Sequence, residues 1–337
     1  MKILNQQIFE NKEAAALPGL MESGGLPALV SGLSGIHRVN LAAALYEKLE
    51  LPMFVVCPDD SAAESFSRDL EAMLGRPVNT LYSRDFTFYP SLAASREAEQ
   101  KRLYVLNALR CGESPVTVAT VSALMQRAIP PQTLGKAAFT VKDGEPCPPE
   151  ELEAALLRCG YTRCEQVEGT GQFARRGGII DFFSPAYPEP VRIEFWGDDI
   201  DSMGFFNIKT QRRTESVEIC RILPAAESLT TLASGGTESL TDALRAAADK
   251  CARHKSSQQL RQLEQNLRAD IERLEQNVKI EYADRYMPFL YEKASGADYI
   301  PEEAVVFLDQ PPRCADRAKG FAKQLGDDLS ELVKSGM

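Results

Sequence analysis

Near residue 130 the spacing of apolar runs changes, and that change constrains the fold more than any single residue does. Ahead of it, short apolar runs alternate with helical stretches. Residues 27–31 (PALVS) read as a short buried strand, followed by a glycine-bearing turn and a helical stretch over 39–49. Residues 52–57 (PMFVVC) read as a second strand, Pro58-Asp59-Asp60 caps a helix running to 74, and 78–82 and 116–121 add two more strands. Strands that alternate with helices predict a parallel sheet with helices on its faces. Beyond residue 130, a helix over 149–159 leads into apolar runs at 172–183, 191–196, 200–206 and 216–222. Only turn-forming segments such as Pro185-Ala186-Tyr187-Pro188 and Gly197-Asp198-Asp199 separate them, which predicts an antiparallel meander. Residues 238–279 contain neither Gly nor Pro, so long helices are expected there. Residues 305–308 (VVFL) read as a returning buried strand that ends in Asp309, and 313–335 as a last amphipathic helix. The expected division is a parallel-sheet α/β domain over 1–128, an α+β antiparallel-sheet domain over 129–224, and a helical subdomain over 225–337 with the returning strand near 304–309.

Composition narrows the function. The formal net charge is −10, whereas proteins that grip nucleic acid by neutralising phosphates carry a basic excess or a concentrated basic face. Tight nonspecific DNA binding is therefore not expected, although a local basic patch could dock an acidic protein partner. Eight cysteines occur without a CxxC pair, and the two histidines, His37 and His254, lie far apart. That spacing supports no zinc site, and reduced, mostly buried thiols are expected. The start of the chain lacks an apolar signal core and no run approaches the ~18 apolar residues of a membrane span, so a cytoplasmic protein is expected.

One segment has the context of a phosphate-binding loop but not its chemistry. In G-x-x-x-x-G-K-[ST], backbone N–H groups cradle phosphates, the lysine neutralises charge, and the hydroxyl holds Mg²⁺. Gly32-Leu33-Ser34-Gly35-Ile36-His37-Arg38-Val39 keeps Gly32 and the internal Gly35. His37 stands where the second glycine belongs, Arg38 replaces the lysine, and Val39 offers no oxygen to a metal. The second half of such a site, an acidic pair after a buried strand, becomes Asp309-Gln310, and an amide is no base at neutral pH. Taken alone, 32–39 reads as a plain strand-to-helix turn; with the second half-site the two readings weigh evenly. On either reading no ATP turnover and no bound cofactor are expected.

The middle of the chain carries a specific resemblance. Gly171-Gln172-Phe173-Ala174-Arg175-Arg176-Gly177-Gly178-Ile179-Ile180-Asp181-Phe182-Phe183, then Val191-Arg192-Ile193-Glu194-Phe195-Trp196-Gly197-Asp198-Asp199, resembles the second domain of UvrB. The same pattern recurs in the UvrB-like module of transcription-repair coupling factors (Mfd), and the likeness extends over about residues 20–320. Two departures favour the coupling factors over UvrB itself. The phosphate loop is broken, and residues 82–102 are too short for UvrB's long DNA-clamping hairpin. They leave only Phe86, Phe88 and Tyr89, which are expected to pack a turn rather than stack on bases. The resemblance implies a degenerate P-loop domain of RecA/helicase-like fold with a helical subdomain, plus an α+β domain like UvrB domain 2. It further implies a non-catalytic fragment that recruits UvrA to stalled RNA polymerase in nucleotide excision repair. ATP and Mg would belong to motor domains of the full-length family protein, and RNA polymerase and DNA would be met by regions beyond this fragment.

The same resemblance implies which residues meet UvrA. By motif position UvrB's arginines correspond to Arg163 and Arg176, while a third falls on Ala174, so that contact is lost or passes to Arg175. Arg192 and Phe183 are candidates to extend the patch. Arginine suits the task because its planar fork pairs bidentately with carboxylates. Strand alternation puts Arg175 and Arg176 on opposite faces, and the bare Gly177-Gly178 backbone permits close approach. The competing expectation for each arginine is an intramolecular pair with Glu165, Asp181 or Glu194. Competing functions are an active UvrB- or helicase-type ATPase acting on damaged DNA, a direct DNA-binding module, and a structural role against the remaining domains of the same protein.

Overall fold

The computed structural model describes residues 7–84, 96–253, 257–278, 280 and 283–334. Phe86, Phe88 and Tyr89, with the turn expected around them, lie outside the described residues. The strands among the described residues are β1 Met53–Cys57, β2 Asn79–Leu81, β3 Val116–Thr120, β4 Phe139–Lys142, β5 Thr162–Arg163, β6 Gln172–Arg176, β7 Ile179–Phe182, β8 Val191–Trp196, β9 Asp199–Phe206, β10 Arg213–Ser216, β11 Ile219–Ile222 and β12 Val305–Leu308. The chain forms two compact units: 1–83, 108–126 and 299–323 make the first, and 84–107, 127–298 and 324–337 the second.

The first unit holds a parallel sheet in the order β12-β1-β3-β2. Its central strands are MFVVC and VTVAT, buried at every position, as a sheet covered on both faces requires. Helix Gly35–Leu49 buries Val39, Leu41, Ala42, Ala43 and Leu45 against it, and helix Asp60–Leu74 buries Ala63, Phe66 and Leu70. Sequence sets both ends of the latter helix. The Asp59 carboxylate accepts the Ala62 N–H at 3.0 Å, and Gly75 closes it at φ +64°.

Two sequence expectations change here. Residues 27–31 form no strand, and Leu29 is 85% exposed. Pro27 brings no N–H and Gly32 turns away at φ +82°, so the run between them has few ladder bonds to offer. VVFL does pair in parallel with β1, as expected, but it is an edge strand rather than a buried one. Val306 is 52% and Leu308 47% exposed, while Phe307 turns inward to Phe66.

The second unit is built on a six-stranded sheet, β10-β9-β8-β7-β6-β5, a meander that is antiparallel except where short β5 runs parallel to β6. One face carries the core: Phe173, Ile180, Phe182, Val191, Ile193 and Met203 pack with Leu152 and Leu156 of helix Pro149–Arg158. The expected single run 172–183 is instead a hairpin. Gly177-Gly178 forms its two-residue turn with Gly177 at φ +61°, a backbone conformation that costs glycine nothing. The run 216–222 also divides. Ser216 ends β10 in the large sheet, and β11 pairs instead with β4, for which the sequence pattern gave no sign. Helices Gly236–Ala252 and Gln258–Glu275 pack on each other through Leu- and Ile-bearing faces, as the Gly- and Pro-free segment predicts.

A buried ionic cluster ties this unit together. The Arg84 guanidinium donates to both Asp284 oxygens at 2.8 and 2.9 Å and to Glu227 at 3.0 Å. Arg102 reaches the same Glu227 oxygen at 2.9 Å, and the Glu227 N–H donates to Glu99 at 2.8 Å. Burial works against charge on Arg84, but Glu227, Glu99 and Asp284 together hold it more firmly protonated than usual.

All eight cysteines are free; four are buried and Cys111 is exposed. Burial pushes the Cys159 thiol up to about 11 and Cys220 up to about 12, so neither is a nucleophile at neutral pH. Among the described residues no group of His, Cys, Asp or Glu could hold a metal ion, and no helix is long and apolar enough to cross a membrane.

Candidate functional site

Two places gather the residues singled out in the sequence, one in each unit. In the first, helix Gly35–Leu49 begins beside the C-terminal ends of β1 and β12, where a cleft of ≈ 310 Å³ is lined by Gly35, Arg38, Val39, Asp59, Asp309 and Gln310 among others. Gly32 and His37 do not line it; His37 turns back toward the Ser34 hydroxyl at 3.4 Å. Asp309 sits at the end of β12, anchored by its N–H to the Val56 carbonyl at 2.9 Å and only 2% exposed.

Both guanidiniums of the cleft are engaged from within. Arg38 Nη1 lies 3.2 Å from Asp309 Oδ1, and Arg313 donates to Asp59 at 2.8 Å and to the Gln310 amide oxygen at 2.8 Å. Gln310 in turn donates to Asp309 at 3.2 Å. A nucleotide with Mg²⁺ would need a free cation for phosphate, a carboxylate for the metal and a hydroxyl beside it. Here the cation and the carboxylate hold each other, and Val39 is a buried hydrocarbon, 3% exposed. These residues do not fit the nucleotide and its metal.

In the second unit, register decides which arginines act together. The pairs Ala174↔Asp181, Asp181↔Arg192 and Arg192↔Gly204 share the face away from the core, as do Arg176↔Ile179 and Ile179↔Glu194. Arg175 stands opposite Ile180 on the core side, at the rim, so the expected split of Arg175 from Arg176 holds. There Arg175 and Arg163 converge on Glu153 of helix Pro149–Arg158, at 3.1 and 2.7 Å, and Arg175 also pairs with Glu150. Hydrogen bonds donated to Glu150 and Glu153 hold the Arg175 guanidinium more firmly protonated than usual.

On the outer face Arg192 forks onto Asp181 at 2.7 and 2.8 Å, donates to the Gln211 carbonyl, and lies 4.7 Å above the Phe206 ring. Arg176 approaches the same carboxylate only to 3.7 Å and keeps a side chain 54% exposed. Intramolecular pairing is thus close for Arg192, Arg175 and Arg163 and loose for Arg176. Arg163 and Arg175, however, take Glu153 and Glu150 rather than the expected Glu165, Asp181 or Glu194. Asp181 is the partner for Arg176 and Arg192; Glu194 leans toward Arg213 instead. Phe183 is 8% exposed and packs with Val167, Ala174 and Phe206, so it supports the sheet and adds little surface. The five residues therefore form no single patch: Arg163 and Arg175 occupy the helix side, Arg176 and Arg192 the outer face.

One residue escaped the sequence reading. Trp196, the only tryptophan, is 79% exposed at the end of β8. Its signal was available, because buried Val191 and Ile193 alternate with Arg192 and Glu194 and carry Trp196 to the outer face.

Comparison with known proteins agrees with this architecture. A family model described as the UvrB interaction domain matches residues 139–227, the segment from β4 through β11 and five residues past it. The transcription-repair-coupling factor of Bacillus subtilis (strain 168) is 30% identical over 339 residues, which covers 98% of this chain and 28% of that protein. That of Myxococcus xanthus is 29% identical over 294 residues, covering 83% of this chain and 24% of the relative. That of Escherichia coli (strain K12) is 29% identical over 203 residues, covering 60% and 18%. The chain spans between about a fifth and somewhat over a quarter of the length of these relatives.

Proposed function

We infer that this chain, a UvrB-like module of the kind found in transcription-repair-coupling factors, binds UvrA through its antiparallel sheet and turns over no nucleotide. The observation that carries this reading is the state of Arg176. It lies within the segment matched by the UvrB interaction domain, its fork is held only at 3.7 Å, and bare Gly177-Gly178 backbone flanks it. A guanidinium in that position can complete a bidentate pair with a carboxylate on another protein. Arg163 and Arg175, both engaged by Glu153, would form a second contact on the helix side only by exchanging partners.

The cleft of the first unit belongs to the same reading as a degenerate nucleotide site, with Gly32, Gly35, His37, Arg38, Val39, Asp309 and Gln310 as its remnants. The internal pairing of Arg38 with Asp309 supports this and disfavours the competing ATPase reading. The module needs no cofactor of its own. ATP-driven translocation, contacts with RNA polymerase and DNA, and a cytoplasmic location are carried over as proposals for the longer protein of which such a module forms part.

The test is a titration of the purified chain with cognate UvrA, run beside a phosphate-release assay. Saturable binding at micromolar concentration with no ATP turnover is expected. Turnover, or no binding, ends the reading.

A further inference from the structure

We propose that Trp196 anchors the UvrA-binding surface, with the partner setting a carboxylate against Arg176 and a cationic side chain on the indole face. The proposal rests on the UvrA reading and adds to it the residue at the centre of the contact and the charges it selects.

Register places Trp196 and Arg176 at the same end of the outer face, on β8 and β6 with β7 between them. The Phe195 N–H donates to the Gly178 carbonyl at 2.8 Å, so the Gly177-Gly178 turn lies alongside Phe195 and Trp196. Phe195 turns into the core, and Trp196 shares the outer face with Glu194, Ile179 and Arg176. The two hairpin turns thus bring a loosely held guanidinium and an uncovered indole to one end of one face. Neither glycine puts a side chain between them, and a Cβ on Gly177 would meet no atom within 4 Å.

Such a surface is matched to a protein partner. A large aromatic ring left in water contributes little to the fold that carries it, since its apolar area stabilises only when covered. Trp and Arg on one uncovered face have the composition of an interface hot spot. Charge then says what should cover them. Asp199 is the register partner of Trp196, Asp198 follows in the turn, and both are exposed. An indole flanked by carboxylates favours a cation on its ring, and Arg176 on the other side favours an anion. An apolar or wholly acidic partner surface satisfies only half of this arrangement, and a nucleic-acid backbone would meet the two aspartates with like charge.

Because Trp196 is the only tryptophan, fluorotryptophan incorporation gives a single fluorine resonance that reports this position alone. Addition of cognate UvrA is expected to shift or broaden it in step with binding. Trp196→Ala should weaken binding at least about tenfold, the scale of a hot spot. Trp196→Phe should lose less, and Asp199→Lys should weaken binding in a salt-dependent way. The melting temperature should stay level for both Trp196 variants, because the ring is exposed. Unchanged affinity in Trp196→Ala, with Arg176→Ala weakened, overturns this proposal and leaves the UvrA reading standing. No binding by the unaltered chain overturns both. A resonance that moves with single-stranded DNA but not with UvrA makes Trp196 a base-stacking residue and also overturns it.

Discussion

In the cleft of the first unit, Arg38 reaches Asp309 at 3.2 Å and Arg313 reaches Asp59 at 2.8 Å, each guanidinium with its own carboxylate. On the outer face of the six-stranded sheet, two arginines approach one carboxylate. Arg192 takes both oxygens of Asp181, and Arg176 is left at 3.7 Å. The difference is one of stoichiometry. Where each guanidinium has its own carboxylate, no cation is left over to meet a phosphate. Where two forks meet one carboxylate, one stays available, and the sheet is also where an uncovered indole stands. Spare capacity, rather than the mere presence of arginine, is what separates the proposed binding surface from the proposed nucleotide-site remnant.

The sharpest way to break this comparison is at Arg176. Arg176→Ala should weaken UvrA binding by about 1–4 kcal/mol, the range of interface hot spots, with a nearly unchanged melting temperature. Calorimetric titration at two salt concentrations reads both the loss and its ionic character. Arg192→Ala is the counterpart on the same face. It leaves Asp181, 2% exposed, without its bidentate partner, so its effect should fall on stability. If the two variants behave alike, spare capacity is the wrong criterion.

A smaller effect is expected in the cleft. Arg38→Ala removes the partner of a carboxylate that is 2% exposed. Losing one member of a fully buried pair costs about 3–5 kcal/mol, but Arg38 is 27% exposed, so water can reach the site and about 1–3 kcal/mol is the discounted expectation. Denaturant unfolding measures it. UvrA affinity should stay level, and a variant that bound UvrA poorly while folding normally would merge the two sites that the comparison separates.

The sequence exposed these sites unevenly, for physical reasons. Alternating periods gave the parallel sheet and the meander, because burial on both faces and burial on one face leave different apolar spacings. The opposite facing of Arg175 and Arg176 also follows from period alone. What the pattern could not show was partner choice. Nothing local in Phe-Ala-Arg-Arg-Gly-Gly tells that Asp181 would pair with Arg192, 11 residues further along, and thereby leave Arg176 loose. The strand expected at 27–31 failed for a similar reason, since an apolar run becomes a strand only if an edge receives it. Trp196 follows from the same alternation along β8, but alternation in the neighbouring strands also sends Phe183 and Phe206 to the outer face. Only the fold shows that those two are covered while Trp196 is not.

The buried cluster in the second unit tests the stoichiometric argument with the opposite imbalance. Two guanidiniums, Arg84 and Arg102, meet three carboxyls, Glu99, Glu227 and Asp284. Excess negative charge without water should drive one carboxyl to keep its proton. Burial raises the Glu99 pKa; Arg84 pulls the other way, and Asp284 and Glu227 add to the rise. A carboxyl raised in the folded state binds its proton more tightly there than in the unfolded chain. Its contribution to stability is complete below the ordinary carboxylate range and is lost as pH climbs through the raised value. Glu99→Gln keeps an oxygen to accept the Glu227 N–H and has no proton to lose. The unaltered chain should therefore lose stability over that rise in pH, and the variant should lose less, as read from denaturant midpoints at a series of pH values. Parallel curves would mean that Glu99 ionises normally inside the cluster, and that charge imbalance, here as on the sheet, does not decide how these groups behave.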